Sequence, residues 1–264
     1  MDFDTIEYTV RDAVATICLN RPERMNSFNV AMHNELRVAL LEVKKNPKLR
    51  CLVLTSNGKA FSAGQDLHDR YELVNSGNKP ELGVSLQQYY NPLVETLRTL
   101  PIPVIAAVNG LAAGAGVGVA LACDIVLAAK SAKFVFAFAK VGLVPDSGCS
   151  WSLVNTVGLA RARALVMLGS TVTAMEASDM GMIWRCVDDE ELDKAIEATT
   201  QQLINNPALG LDLSKRALNS VATESFARQL EHEAQLQTLA GQADDYAEAV
   251  RAFVEKRPPN YTGH

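Results

Sequence analysis

The sequence predicts an α/β fold: a layered core in which strands alternate with helices and pair in parallel, followed by a helical C-terminal part. Three observations carry that prediction. Short apolar runs recur through the first two-thirds of the chain, closed by glycine, asparagine or proline. Between them stand segments whose apolar residues repeat at helical spacing. Beyond Trp151 the helical pattern takes over.

Taken in order, residues 6–19 alternate around Arg11-Asp12, as a hairpin does. After Asn29, the residues Met32, Leu36, Leu40 and Val43 mark one face of a helix. Residues 51–55 read as a buried strand closed by Ser56-Asn57-Gly58, and the loop KAFSAGQDL follows. The polar stretch 75–83 reads as mobile. Residues 86–100 are predicted helical, 103–108 a strand and 114–122 a helix, while 124–129 and 134–138 read as two further strands. Thr173 and Glu176 stand at capping-box spacing. Longer helical patterns cover 190–205 and 224–255. There is no internal repeat. We place the core at residues 1–195 and the helical C-terminal region at 196–264.

Composition bounds the function. At 264 residues with 48% hydrophobic and 21% charged residues, the chain has an ordinary globular balance. A formal charge of -5 argues against a nucleic-acid surface or a polybasic membrane patch. Cys18, Cys51, Cys123, Cys149 and Cys186 form no CxxC pair and read as the reduced thiols of a cytoplasmic protein. None of the histidines has a partner at metal-ligand spacing, so no metal site is expected. The opening MDFDTIEYTV is acidic and carries no apolar signal core, so no export is indicated. Residues 104–123 lack charge over a bilayer's length. Asn109, Gly110, Gly114, Gly116 and Gly118 break that run into a strand, a turn and a short buried helix rather than a membrane span.

Three stretches can carry chemistry. AAGAGVG follows a strand and opens a helix, where backbone N–H groups can hold an anion. Its GxGxG spacing, with Asp124 too close behind, is not a dinucleotide fingerprint, and Gly58-Lys59-Ala60 is no P-loop. Close packing of helix on sheet accounts for the glycines equally well. Residues 61–66, FSAGQD, form a second strand-to-loop junction. Two such junctions could point two backbone N–H groups at one carbonyl oxygen, an oxyanion hole worth roughly several kcal/mol. In VGLVPDSGCSW, Asp146 is a lone acid among small and apolar residues. It either caps a helix beginning near Gly148 or is kept for chemistry. The alternation of Phe134, Phe136 and Phe138 reads as core or pocket wall; nothing basic is interleaved with it.

Together, LNRPERMNSF, AFSAGQDL, AAVNGLAAGAG, ALACDIVLAAKSAKF, GLVPDSG and FVEKRPP resemble the crotonase superfamily, the enoyl-CoA hydratase/isomerase fold, over nearly the whole chain. The resemblance implies a crotonase-like spiral core of ββα turns with a helical region that assembles a homotrimer, often paired into a hexamer. It implies an acyl-CoA substrate and no separate cofactor, coenzyme A being part of the substrate. By the same resemblance, the Gln65 and Ala115 amides form the oxyanion hole. Ala63, Asp66 and Leu67 line the adenine and pantetheine path, Arg24 lies near the nucleotide, and Phe253 and Lys256 reach a neighbouring subunit's coenzyme A.

The two glutamates of the family's hydratases fall at Gly118 and Phe138, so the acids that activate water are missing. Asp146 remains, where the family's isomerases carry theirs. A single carboxylate suffices for a 1,3-proton shift through a thioester enolate, and burial beside Val144 and Pro145 is expected to raise its pKa. YYNPLV, GQDL, FAFAKVGLVPD, GMIW and KRPPNYTG are similar to a branch of the family that isomerises a ring-epoxide phenylacetyl-CoA to an oxepin and shifts Δ3 double bonds to Δ2. Phe138 suits a pocket for a ring-sized acyl group. GCSW after Asp146 departs from the GGTW frequent in relatives. Two competing readings share these residues: a fatty-acid Δ3,Δ2-enoyl-CoA isomerase or hydratase, and a noncatalytic scaffold subunit.

Overall fold

The alternation at the start of the chain folds into an antiparallel hairpin, β1 (Ile6–Arg11) and β2 (Val14–Leu19), which turns at Asp12 and Ala13. The computed structural model describes residues 2–263, the side chains at 69, 72 and 73 excepted. Helix α1 (Val30–Lys45) begins at Asn29, whose side chain accepts the Met32 N–H, and it buries Met32, Leu36, Leu40 and Val43. Strands β3 (Cys51–Ser56) and β4 (Ala60–Ser62) follow. Next come α2 (His68–Asn75), α3 (Leu82–Ser85), a π-helical turn at Leu86–Tyr90 and α4 (Asn91–Thr99).

Strands β5 (Val104–Val108) and β6 (Leu111–Ala113) lead into α5 (Ala115–Leu121). Strands β7 (Ile125–Ala129) and β8 (Lys133–Val135) lead through a 3-10 turn, Ala137–Val141, into α6 (Cys149–Met167). Strand β9 (Thr171–Thr173) precedes α7 (Ala174–Asp179), whose capping box of Thr173 and Glu176 forms as its spacing predicts. After β10 (Arg185–Val187) the chain is helical: α8 (Leu192–Ile204), α9 (Ala208–Ser220), α10 (Phe226–Gly241) and α11 (Asp244–Glu255).

The strands form two sheets. The larger runs β1-β2-β3-β5-β7-β10, parallel from β2 onward; the smaller runs β4-β6-β8-β9, with its first three strands parallel. Three successive turns of chain each give one strand to each sheet and then a helical segment, which is the ββα spiral the sequence predicts. Parallel strands covered on both faces read as unbroken apolar runs, and β5 is buried at every residue. Leu52 and Leu54 face the main core with Phe61, Val117 and Phe134, while Cys51 and Val53 face α8 through Leu192. The charge-free run 104–123 is β5, a turn, β6 and α5. No helix among the described residues is long and apolar enough to cross a membrane.

Two segments differ from the sequence expectation. Residues 134–138 do not form one strand: β8 ends at Val135, and the Phe136 N–H donates instead to the Ser170 carbonyl before the chain turns. The pattern over 224–255 is two helices, separated where Ala243 is extended.

Lys215 of α9 fastens this last region to the core. Its Nζ donates to the carbonyls of Leu97 (3.0 Å) and Ile102 (3.2 Å) and pairs with Asp124 at 2.7 Å. Burial pushes the Asp124 carboxyl up, and Lys215 pulls it back. We expect Lys215→Ala to cost ~1–3 kcal/mol at pH 7 in urea denaturation, because it removes two main-chain hydrogen bonds and the nearest cation to the partly exposed Asp124. The loss should shrink as pH falls and Asp124 takes up a proton.

Candidate active site

Three adjacent parallel strands of the smaller sheet, β4, β6 and β8, end on the same side. Gln65, Ala115 and Phe138 each follow one of these ends within three residues. The topology therefore gathers loops that are far apart in sequence. Their final approach is backbone on backbone. A Cβ built on Gly64 would stand 2.8 Å from the Ala113 carbonyl oxygen and 3.3 Å from the Ala115 nitrogen. One on Gly116 would stand 2.5 Å from the Ser62 carbonyl oxygen. Close packing and a pair of neighbouring amides, alternatives at the level of sequence, are one arrangement here: the packing brings the amides together.

Both amides are left as donors. Gln65 forms a parallel bridge with Phe28, in which Phe28 N–H donates to the Gly64 carbonyl (2.7 Å) and Asp66 N–H donates to the Phe28 carbonyl (2.9 Å). That pattern uses the groups flanking Gln65 and turns its own N–H to the opposite side. Ala115 is the first residue of α5, so its N–H has no intrahelical partner. Among the described residues neither N–H has an acceptor.

The Gln65 side chain is fixed in turn. Its Nε2 donates to the carbonyls of Phe28 (3.3 Å) and Asp66 (3.1 Å), and its Oε1 accepts from the Tyr90 hydroxyl at 3.0 Å. Tyr90 closes the π-helical turn, which sets Tyr89 stacked on His33 and Tyr90 edge-on to it, 4.4 Å between centroids. Burial lowers the His33 pKa to about 4, so this ring is neutral at pH 7.

Asp146 does not cap α6 with its side chain. Gly148 is the cap residue, and Asp146 supplies only its main-chain carbonyl, to Cys149 N–H at 2.8 Å. Its carboxylate instead accepts from the Ser147 hydroxyl at 3.0 Å. The Asp146-Ser147 backbone rests on α5: a Cβ on Gly118 would lie 2.7 Å from the Ser147 carbonyl oxygen and 3.1 Å from that of Asp146. Gly118 is three residues from Ala115, about 4.5 Å of helix rise. The Asp146 main chain and the Ala115 amide thus lie less than one helical turn apart along α5.

Burial raises the Asp146 pKa, with the Ser147 hydroxyl and its own amide pulling it back. The direction agrees with the sequence expectation, with one difference among the neighbours: Val144 is 75% exposed, while the Asp146-Ser147 main chain packs on α5 and the Asp146 charge acts on Tyr90 and Cys149. Burial, then the Asp146 charge, pushes the Cys149 thiol up to about 12.

The remaining residues singled out by sequence divide. Phe138 is buried, with its ring edge 4.0 Å from a Cβ built on Gly114. Ala63 N–H donates to the Met25 carbonyl, anchoring the loop. Asp66 turns inward, pairing with Arg21 at 3.0 Å and accepting the His68 N–H at 3.1 Å. Burial alone would raise its pKa; the His68 amide, Arg21 and the Ser27 hydroxyl hold it below the usual range. It fastens the loop behind Gln65 and does not face outward. Leu67 and Arg24 are exposed, and Arg24 Nη1 lies 3.1 Å from His68 Nε2. Phe253, 85% exposed, and Lys256 lie on and just beyond α11, which packs on α10 rather than on the sheet ends. Sequence reasoning missed Phe28, Tyr90, Arg21 and Ser147. All four sit in motifs it quoted, but which side chain meets Gln65, Asp66 or Asp146 depends on the π-helical turn, on the Phe28 bridge and on the left-handed backbone at 147.

This geometry coincides with a family match along the chain: the Enoyl-CoA hydratase/isomerase model covers residues 9–264. The protein belongs to the enoyl-CoA hydratase/isomerase family, the crotonase superfamily. It is 49% identical to the 1,2-epoxyphenylacetyl-CoA isomerase of Escherichia coli K12, over 96% of this chain and 97% of that one. It is 31% identical to the 2,3-dehydroadipyl-CoA hydratase of the same organism, over 95% of each chain. Among solved structures, an enoyl-CoA hydratase from Bacillus anthracis superposes with a TM-score of 0.93 at 30% identity, covering 99% of this chain and 100% of that one. The spiral fold is therefore the family's.

Gly116→Ala should wedge Ser62 away from α5 and lower stability by ~1–3 kcal/mol, read as a drop in melting temperature. Gly241→Ala, where a Cβ meets nothing within 4 Å, should leave it unchanged or slightly higher.

Proposed function

We propose that the protein is an acyl-CoA isomerase that converts 2-(1,2-epoxy-1,2-dihydrophenyl)acetyl-CoA to its oxepin isomer and shifts Δ3 double bonds of acyl-CoA thioesters to Δ2. The observation that carries this reading is a single acid, Asp146, whose main chain packs on Gly118, three residues along α5 from the Ala115 amide, while by the family resemblance Gly118 and Phe138 stand at the positions of the hydratase glutamates. The 49% identity to an enzyme named as 1,2-epoxyphenylacetyl-CoA isomerase supports the ring substrate.

In this mechanism the thioester oxygen accepts hydrogen bonds from the Gln65 and Ala115 amides. For the double-bond shift, Asp146 removes a proton from one carbon of the acyl chain. Charge develops on the thioester oxygen, where the two amides hold it as an enolate. Asp146 then returns the proton two carbons away, and no atom is gained or lost. The elevated pKa of a buried carboxyl brings it closer to the carbon acid it must deprotonate. Phe138 walls the acyl pocket. The nucleotide end lies along Ala63 and Leu67, with Arg24 and His68 toward its phosphates, and Asp66 holds that loop in place. Coenzyme A arrives with the substrate, and no other cofactor is required.

We further propose that residues 196–264 assemble a homotrimer, singly or paired into a hexamer, in which Phe253 and Lys256 of one subunit reach the coenzyme A of its neighbour. The exposure of Leu218, Val221, Phe226 and Leu230 on and beside α9 and α10 supports a buried partner face.

Asp146→Asn should reduce turnover of a 3-enoyl-CoA and of the ring epoxide at least ~100-fold, with hydration of crotonyl-CoA slow in both parent and variant. Because the base must be ionised, parent turnover should rise with pH through a pKa above the ordinary 3.8. Fast hydration of crotonyl-CoA by the parent, or near-normal isomerisation by the variant, would overturn the reading. Phe253→Ala should raise KM for acyl-CoA several-fold (roughly 1 kcal/mol of lost contact) with kcat little changed, while native mass spectrometry still shows a trimer or hexamer.

A further inference from the structure

Ser147 combines three properties that sit together poorly without a function. Its φ of +52° lies in the left-handed region, where an L-residue is strained and glycine is not. It is 2% exposed, so the hydroxyl has left water. That hydroxyl donates to Asp146 Oδ1 at 3.0 Å, and among the described residues it is the only side chain hydrogen-bonded to the carboxylate. The following residue, Gly148, is also at positive φ and is a glycine. At 147 the chain keeps a side chain where glycine would relieve the backbone.

The seat beneath is equally specific. Position 118 on α5 faces the Asp146-Ser147 backbone so closely that its Cβ would lie 2.8 Å from Ser147 Cβ, besides the two carbonyl contacts described above. Both carbonyls are main chain and cannot swing aside as a flexible side chain does.

We propose that Ser147 is a positioning residue for Asp146 and that Gly118 is the space into which the pair docks. The hydroxyl holds Oδ1, fixes the carboxylate rotamer and leaves Oδ2 free to face the acyl carbons. A strained residue kept beside a functional group is one of the few cases in which backbone strain points to a role. It follows that a side chain at position 118 would push the Asp146-Ser147 backbone out of this seat. The absence of a glutamate there is a structural condition of the acid at 146, so Gly118→Glu would disable isomerisation without creating a hydratase.

This inference rests on Asp146 being the proton carrier, and the test separates the two. Ser147→Gly relieves the left-handed strain, so its melting temperature should equal or exceed the parent's, which removes misfolding as an explanation. It loses the hydroxyl, so kcat for a 3-enoyl-CoA should fall roughly tenfold with KM within twofold. A hydrogen bond donated to the charged form lowers a carboxyl pKa, so its loss should move the acidic limb of the kcat profile to higher pH. Ser147→Thr, which retains the hydroxyl, should recover part of kcat and return the limb toward its original position. If Ser147→Gly turns over within twofold of the parent, or its limb does not move, Ser147 is not a positioning residue. Where Asp146→Asn abolishes turnover in the same assays, only this inference has then failed; where Asp146→Asn is active, the functional reading has failed with it.

Discussion

Main chain pressed against main chain is the constraint on which the rest of the site depends. Gln65 and Ala115 come from different turns of the spiral, and their amides neighbour each other only because Gly64 and Gly116 leave no Cβ between β4, β6 and α5. Donors supplied by the backbone cannot be lost by side-chain substitution; only the fold can move them. The proposed oxyanion hole is thus a property of how two sheets and a short helix meet. On the proposed reading, the direction of chemistry is left to a few side-chain positions around it, namely 118, 138 and 146.

The loop carrying Gln65 has few interactions of its own and is held from outside. The Phe28 bridge fixes its backbone, the Tyr90 hydroxyl its side chain, and the buried Asp66–Arg21 pair its exit. Each bond contributes on the order of 1 kcal/mol in net terms. Their combined effect is orientation, since a donor aimed in advance does not have to reorganise as charge develops. Asp146 is the contrary case. Burial disfavours its charged form, so the acid destabilises the fold above its unfolded-state pKa, and that loss grows as pH rises through the folded value. Such a cost is expected where a group is retained for reactivity.

Most of the architecture was legible because it follows from periodicity. The hairpin, α1, β3, β5, α5, β7 and the Thr173–Glu176 box all carry local signals strong enough to read. The shortest strands, β4, β6, β9 and β10, span only three residues each and give no period. The break between α10 and α11 follows Gly241, but one glycine inside a long helical pattern does not by itself signal a stop, and the extended Ala243 makes the break. At the site, residue types were readable and adjacency was not. That FSAGQD and AAGAGVG meet is decided by the order of strands in the smaller sheet. That the Asp146-Ser147 main chain packs on α5 while Val144 turns outward is decided by which way a loop at positive φ turns. Ser147 had no signal at all: a serine after an acid is unremarkable until its backbone conformation is known.

The charge economy of the site explains why one carboxylate can be enough. In the proposed proton shift the base begins anionic beside a neutral thioester and becomes neutral as the enolate forms, so the total stays at one negative charge. Only its location changes. A cation next to Asp146 would stabilise the starting carboxylate and weaken it as a base; among the described residues no arginine or lysine pairs with it, and burial raises its pKa against the Ser147 hydroxyl and its own amide. The two amides act chiefly when the charge has arrived on the thioester oxygen. Burial penalises the carboxylate and the amides reward the enolate, so both terms drive the proton in the same direction. Adding water needs a second acid held near the first, and two carboxylates in one desolvated pocket would repel unless one remained protonated. On the proposed reading, Phe138 and the seated 146–147 backbone fill the places where such acids could stand, which favours moving a proton within one molecule over activating a second.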